Sequence, residues 1–262
     1  MLNRAIKRSG LVSLFVITTA CGALDKQSGA FVTTANGRLA LNDTTADEKI
    51  IGDNDLTPVL ENGANIPEKY RPLINAFGMM NMGCTATHIG NGIAITAGHC
   101  FQGRVSEDRQ DNVPCGTSTT IKWGFRKDAP EYLTSKCVTI LALQKNKDRD
   151  YAIFTLDNVP GSSVEVDLSA RPIDKTAITI FGFPQKRPLE WSKTCVVRPG
   201  SVGKWGSDMF SHQCDTEPGN SGSTVIDDTT RKVVGIHDGG IAPWNYGTYL
   251  VNTPLAEILS KQ

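Results

Sequence analysis

The chain of 262 residues lacks a charge bias, because 27 lysines and arginines balance 27 aspartates and glutamates. It has no run of basic residues and no basic patch interleaved with aromatics, so nothing indicates binding to nucleic acid or to an anionic surface. Histidine is scarce, with four residues in the whole chain. These histidines lack ligand spacing and no C-x-x-C pair occurs, which argues against a zinc site. The composition predicts a neutral domain without a metal centre.

Long segments of helical period and repeats of fixed length are also missing. From Ile50 onward, short apolar runs alternate instead with clusters of glycine, proline, asparagine and aspartate. The runs are rich in β-branched residues, as is typical of strands; they read CTATHIG, GIAITAG, TTIKWGF, KCVTILAL, YAIFTL, AITIFGF, STVI, KVVGI and GTYLV. The best helical segment is terminal, at 254–262, with Thr253 as N-cap and Pro254 as the first helical residue. The pattern predicts an all-β fold.

The N-terminus combines a basic start, Arg4, Lys7 and Arg8, with the apolar stretch LVSLFVITTA. This stretch is too short to span a bilayer with ease, and the combination is typical of a secretory signal peptide over residues 1–20. Cys21 resembles the lipidated cysteine of a bacterial lipobox, although Thr18 stands where a larger aliphatic residue is usual. Lipidation at Cys21 and cleavage with release are the alternatives. Both predict an exported protein, either secreted or anchored to the cell envelope.

Residues 21–49 are polar and predict a linker or pro-segment, whereas 50–262 are enough for one large or two small all-β units. Of seven cysteines, six remain after Cys21. An even number in an exported chain indicates three disulfides, and about 15 pairings are open from the sequence alone.

Three segments carry candidate catalytic residues. IAITAGHC places His99 where an apolar strand ends, DRDYAIFTL places Asp150 ahead of a strand, and EPGNSGS places Ser221 between Gly219 and Gly222. Each alone has an ordinary explanation as a capped histidine, a turn aspartate or a glycine-rich hairpin. Together they supply a triad, because a serine hydroxyl becomes nucleophilic when an imidazole takes its proton and a carboxylate orients that imidazole.

In this order the motifs resemble the chymotrypsin-like serine endopeptidases, and among them the V8-like bacterial glutamyl endopeptidases. The resemblance runs from about Ile50 to the C-terminus and rests on IIGDND, GCTATHIGNGIAITAGHC, DYAIFTL, IFGFPQ followed by Trp191, CDTEPGNSGS and GIHDGG. It implies two perpendicular six-stranded β-barrels, about 50–160 and 161–253, with the active site in the cleft between them. It also implies protein or peptide substrates and no cofactor. We expect a monomer that touches a membrane only through a lipid on Cys21.

Carried over to this sequence, the resemblance makes Ser221 the nucleophile, His99 the general base and then acid, and Asp150 its orienting partner. Asp148 competes for that last role but is not followed directly by the YAI run. The backbone N–H groups of Gly219 and Ser221 would form the oxyanion hole.

The resemblance further implies that the disulfide Cys84–Cys100 pins the histidine loop and that Cys195–Cys214 braces the approach to the nucleophile. Cys115–Cys137 would be the third bridge. Asn220 stands where chymotrypsin-like zymogens have an aspartate, so their activating ion pair cannot form here; V8-like enzymes share this asparagine.

The stretch VVGIHDGG places His237 at the interval after Ser221 where chymotrypsin-like enzymes have the strand that edges the specificity pocket. We expect His237 and Thr216 to bind the side chain before the scissile bond and to favour Glu, with Asp second. A protonated His237 would add charge. Alternation along the strand would turn Asp238, an acid unexpected beside such a pocket, away from it. A histidine hydrogen-bonded within the barrel and a metal ligand are the alternatives.

Two other functions stay open. Asp215, six residues before Ser221, occupies the position that selects basic side chains in trypsin-type enzymes. An inactive homologue would be an exported binding module. For the enzyme, cleavage after Lys49 would free the Ile50 α-amino group, which the resemblance places near the pocket.

Overall fold

The computed structural model describes residues 49–101, 109–116, 118–198, 208–241 and 243–262. The predicted signal peptide, Cys21 and most of the predicted pro-segment lie outside these described residues. No helix within the described ranges is long and apolar enough to cross a membrane.

The described residues are mostly strand, as the short β-branched runs predict. The strands are β1 (Thr57–Pro58), β2 (Phe77–Met80), β3 (Thr85–Gly90), β4 (Ile93–Thr96), β5 (Arg109–Pro114), β6 (Thr120–Trp123), β7 (Leu133–Lys145), β8 (Asp150–Leu156), β9 (Ala177–Gly182), β10 (Glu190–Arg198), β11 (Met209–His212), β12 (Thr224–Asp227), β13 (Val233–Ile241) and β14 (Trp244–Tyr249). Short 3₁₀ helices cover Glu68–Ala76, Gly98–Phe101, Pro184–Lys186 and Leu250–Asn252, and one α-helix, α1, covers Leu255–Ser260.

Two closed antiparallel barrels follow each other along the chain, and the all-β prediction is confirmed. In the first, the order β7-β6-β2-β3-β4-β8 closes through pairing of β7 with β8, and β5 adds a strand to β7. In the second, β10-β11-β14-β13-β12-β9 closes through β10 and β9, and β1 adds to β10. Each barrel therefore has six strands in its closed ring, which is the chymotrypsin-like architecture.

The first barrel is expected to begin at about residue 50. The chain before β2 is instead shared, because β1 pairs with a strand of the second barrel. In β1, Thr57 pairs with Trp191 of the second barrel. One hydrophobic cluster spans both barrels, and a second, smaller one lies within the second barrel. Phe77 of β2 stacks on Phe181 of β9 with ring centroids 4.9 Å apart. Because interiors pack densely, this contact fixes β2 of the first barrel against β9 of the second.

Each predicted strand run overlaps an observed strand, whereas β1, β2, β5, β10 and β11 and the 3₁₀ helix Glu68–Ala76 were not anticipated. The segment FGMM of β2 is short and contains glycine, and RQDNVP of β5 is polar and largely exposed. The C-terminal helix is confirmed but begins at Leu255, with Pro254 as its N-cap. Thr253 still accepts a hydrogen bond from the Leu255 N–H, at 3.4 Å.

Candidate active site

His99 and Asp150 meet at the mouth of the first barrel. The His99 N–H donates to Asp150 Oδ1 at 2.8 Å, and His99 Nδ1 lies 2.7 Å from Asp150 Oδ2. This double contact fixes the tautomer and the plane of the ring, with Nε2 on the far side from the carboxylate. Asp150, rather than Asp148, makes this contact. Gly98 permits it, because a Cβ there would lie 2.5 Å from the Gln144 carbonyl oxygen.

Ser221 sits in a turn that two glycines make possible. Gly219 and Gly222 have φ values of 112° and 84°, in the left-handed region that other residues rarely adopt. A Cβ on Gly222 would lie 2.0 Å from Thr96 Oγ1. The hydroxyl of Thr85 donates to the Gly219 carbonyl, and the Thr85 N–H donates to the Ser221 carbonyl, both at 2.9 Å. One residue of the first barrel thus holds the turn of the second.

The strand that carries His237 is bonded directly to the Ser221 turn. The Gly222 N–H donates to the His237 carbonyl, and the His237 N–H donates to the Ser223 carbonyl, both at 2.8 Å. These bonds place the His237 segment beside Ser221, as the expected interval indicates. The imidazole of His99 also lies close enough to lower the pKa of His237.

His237 is fully buried, and its Nδ1 lies 3.1 Å from Nε2 of His212 on β11. Burial lowers the pKa of His212 to about 3 and that of His237 well below its ordinary value. Both rings are therefore neutral at physiological pH. The barrel interior penalises the imidazolium, which opposes the expectation that a protonated His237 supplies charge. His237 thus has a buried imidazole partner within the barrel, while its backbone is bonded to the Ser221 turn. His212 was missed; its sequence signal is a polar residue inside the strand MFSH.

Asp238 is also buried, at 1% exposure, and its Oδ2 accepts a 2.8 Å hydrogen bond from the Thr248 hydroxyl. That hydroxyl in turn accepts the Asp150 N–H at 2.9 Å. The strand register shifts between His237 and Gly239, so strict alternation does not hold here. Asp238 is therefore linked through the Thr248 hydroxyl to the backbone N–H of Asp150, a contact that the sequence pattern did not reveal.

Asp215 binds the first described segment of the chain. Its two carboxylate oxygens accept the N–H groups of Ile51, at 2.7 Å, and Asp55, at 2.6 Å. The Lys49 carbonyl accepts from the Thr216 N–H at 3.1 Å and from Asn245 Nδ2 at 2.7 Å. Residues 49–55 are thus held on the second barrel beside Thr216.

All three expected disulfides form: Cys84–Cys100, Cys115–Cys137 and Cys195–Cys214, with Cα separations of 6.1, 5.6 and 5.0 Å. Within the described ranges, Cys84, Cys100 and His99 bring three potential metal-ligand atoms together. The two sulfurs are bonded to each other and are not thiolates, so this group does not fit a metal ion.

Comparisons with known structures give the same fold. The chain is similar to a Glu endopeptidase solved in complex with MPD, with 20% identity, a TM-score of 0.57, and coverage of 81% of this chain and 98% of the other. It is also similar to the protease Rv3671c in its inactive form, with 17% identity, a TM-score of 0.50 and coverage of 72% and 91%. A serine-to-alanine mutant of Rv3671c from M. tuberculosis H37Rv gives 15% identity, a TM-score of 0.52 and coverage of 81% and 96%. No curated protein sequence matches the chain significantly.

A serine endopeptidase, which hydrolyses peptide bonds in protein or peptide substrates, is the class that the trypsin-like peptidase domain and the two barrels together support. The family model for the trypsin-like peptidase domain matches residues 84–236, more than half of the chain. The chain therefore belongs to the trypsin-like peptidase family.

Proposed function

We propose that the protein is a V8-like glutamyl endopeptidase that cleaves through an acyl-enzyme on Ser221, with His99 as base and Asp150 as its orienting partner. The double hydrogen bond between His99 and Asp150 carries the proposal, because it leaves Nε2 as the ring atom available for proton transfer. The glycine-framed Ser221 turn, held by Thr85 across the two barrels, supports it.

In the first half of the reaction, His99 Nε2 takes the proton of the Ser221 hydroxyl while Oγ attacks the carbonyl carbon. The backbone N–H groups of Gly219 and Ser221 receive the oxyanion. The peptide C–N bond then breaks as His99 returns the proton to the leaving amine. Water attacks the acyl-enzyme in the second half, again giving a proton to His99, and Ser221 is released with its hydroxyl restored.

The preference for Glu before the scissile bond is supported by neutral hydrogen-bond donors beside Ser221. The Thr216 hydroxyl oxygen is buried with no hydrogen-bond partner among the described residues. A neutral His237 contributes a donor and no charge. Each charge-assisted hydrogen bond to the substrate carboxylate is worth about 1.5–3 kcal/mol, enough for a marked preference over Gln.

Basic specificity through Asp215 has no observation in its favour. Both carboxylate oxygens of Asp215 already accept backbone N–H groups, from Ile51 and Asp55. A lysine or arginine side chain would have to compete with these two short bonds. Asp215 serves instead to hold the N-terminal segment on the second barrel.

Removal of the segment before Ile50 belongs to the same proposal. The carbonyl of Lys49, part of the bond to be cut, is held by the Thr216 N–H and the Asn245 amide. Cleavage after Lys49 would release these donors and create an α-ammonium group one peptide unit away. That group would supply the positive charge that His237 lacks. N-terminal sequencing of the active enzyme should begin at Ile50; a start at Cys21 or Gly22 would contradict this.

We also propose that the protein is exported and carries a lipid on Cys21. The three disulfides support export, because such bonds persist in oxidising compartments. Metabolic labelling with a radioactive fatty acid should mark the wild type and not the Cys21→Ser variant. Equal labelling of both would rule out this anchor, and a protein recovered from the cytoplasm would rule out export.

Two measurements test the activity. A fluorophosphonate should label Ser221 covalently, which a binding module without turnover would not permit. Peptides that differ only in Glu, Asp, Gln, Arg or Phe before the scissile bond should be cleaved fastest at Glu and next at Asp. Fastest cleavage at Arg would replace this specificity with the trypsin-type one.

A further inference from the structure

The carboxyl group of Asp238 is connected to the backbone of Asp150 through the Thr248 hydroxyl, and the proposed reaction does not use it. Oδ2 accepts from the Thr248 hydroxyl, whereas the buried Oδ1 has no hydrogen-bond partner within the described ranges. An ionised carboxylate in such a place is costly unless a cation pairs with it.

Thr248 joins this carboxyl group to Asp150 in a defined direction. A hydroxyl has one hydrogen, and the Thr248 oxygen already accepts the Asp150 N–H at 2.9 Å. The hydroxyl donates that hydrogen to Asp238 Oδ2, 2.8 Å away. The resulting path runs from the Asp150 N–H through the hydroxyl to Asp238, whereas the contact of Asp150 with His99 uses its carboxylate.

Among the described residues, the charged groups that act on Asp238 offer it no cation. Asp150 is the charged group that acts on it, and as a like charge it joins burial in raising the pKa of Asp238 well above its ordinary value. On the same strand and on β11, burial keeps His237 and His212 neutral. Arg149, which precedes Asp150, is paired with Asp208 at 2.7 Å.

We propose that Asp238 is a neutral carboxylic acid in the working enzyme and that, with Thr248, it is a positioning residue for Asp150. Because Oδ2 is the acceptor, the proton of Asp238 resides on Oδ1. Asp150 then remains the single carboxylate charge beside His99, and its backbone is held where both of its oxygens reach that histidine. The inference rests on the proposed triad.

Four variants test it with the best substrate of the peptide series. Asp238→Ala and Thr248→Val break the path and should each lower kcat by about 10- to 100-fold with little change in KM, as expected for a misplaced catalytic group. Asp238→Asn and Thr248→Ser keep an acceptor and a hydroxyl, and should recover kcat to within about threefold of the wild type. Near-ultraviolet circular dichroism checks that each variant is folded.

The pH profile separates a neutral Asp238 from a charged one. The acid limb of kcat/KM reports the pKa of His99 in the free enzyme. Asp238→Asn should leave that limb within about 0.3 unit, because it removes no charge. A downward shift of about one unit would show that a negative charge had been lost, and would overturn the neutral assignment.

An active wild type with unchanged kcat in Asp238→Ala and Thr248→Val would overturn the positioning role and leave the proposed function intact. If Asp238→Ala does not fold, Thr248→Val and Asp238→Asn decide the matter. A folded wild type that neither reacts with fluorophosphonate nor cleaves any peptide would overturn both proposals.

Discussion

His99 follows an apolar strand and His237 lies within one, but the two histidines have different partners. His99 has a carboxylate, Asp150, within 2.7 Å and keeps 20% of its side chain exposed. His237 is fully buried and has another imidazole, His212, as its partner. A carboxylate stabilises an imidazolium during proton transfer, whereas a second neutral ring in a dry interior opposes it. The partner, not the residue type, therefore decides which histidine can act as a base.

The largest expected effect is on kcat, when either His99 or Ser221 is replaced. His99→Ala and Ser221→Ala should each lower kcat by about 10³-fold or more, and the double variant should lose little beyond either single one, since the residues of a triad act as a unit. The measurement is steady-state hydrolysis of a Glu peptide. Wild-type activity in Ser221→Ala would refute the assignment.

The second largest effect is expected when the disulfide next to His99, Cys84–Cys100, is removed. Cys84–Cys100 and Cys115–Cys137 close comparable loops, with sequence separations of 16 and 22. Replacing either pair by serine should lower the free energy of unfolding by about 3 kcal/mol. Only the Cys84–Cys100 replacement should also lower kcat, because that bridge pins the loop of His99.

Denaturant unfolding and steady-state kinetics of the two double variants make this comparison directly. Equal kcat values for both would indicate that the bridge contributes to stability alone.

His237 should affect substrate choice more than turnover. His237→Ala should lower the ratio of kcat/KM for Glu over Gln peptides by about 10-fold or more, the equivalent of one lost charge-assisted hydrogen bond. His237→Gln retains a neutral donor and is the matched control, for which we expect a partial recovery of the ratio. The same Glu-to-Gln ratio in wild type and His237→Ala would remove His237 from the pocket.

A separate effect concerns stability at low pH rather than activity. His212 and His237 have lowered pKa values in the folded state, so the unfolded chain binds more protons below the ordinary value near 6.5. His212 and His237 should therefore each lower the free energy of unfolding by about 1.4 kcal/mol per pH unit as pH falls below about 6.5, until the folded pKa is reached, whereas a neutral Asp238 opposes them by the amount of one group down to the ordinary aspartate pKa of about 3.9. For His212 that limit is about 3.

His212→Gln removes one such group. In a Ser221→Ala background, which prevents self-digestion, denaturant unfolding at several pH values between 6 and 4 should show a slope reduced by the contribution of one histidine. An unchanged slope would mean that His212 is not the neutral buried group described here.

Much of the site could be predicted because its parts are local. Gly219 and Gly222 predict a turn with a backbone conformation that other residues rarely adopt. The β-branched composition before His99 and after Asp150 predicts the two strands there. The choice of Asp150 over Asp148 also agrees with the sequence, since the observed strand β8 begins at Asp150. The unanticipated strand β5 is polar and exposed, so no apolar period marks it.

Other features could not be predicted because they join residues far apart in the chain. Asp215 fits the trypsin-type position in the sequence, but its partners are backbone groups more than 150 residues earlier. The pairing of His212 with His237 and the path from Asp150 through Thr248 to Asp238 likewise depend on strand order in the second barrel. A register shift at His237 then overrides simple alternation.

The amino-acid sequence alone determined the all-β class, the three catalytic candidates and the cysteines available for bridging, because strand propensity, glycine turns and residue chemistry act over a few residues. The tertiary structure decided the protonation of His237 and Asp238. Protonation depends on burial and on the charge of neighbours brought in from other strands, and a buried group without a counter-charge adopts its neutral form.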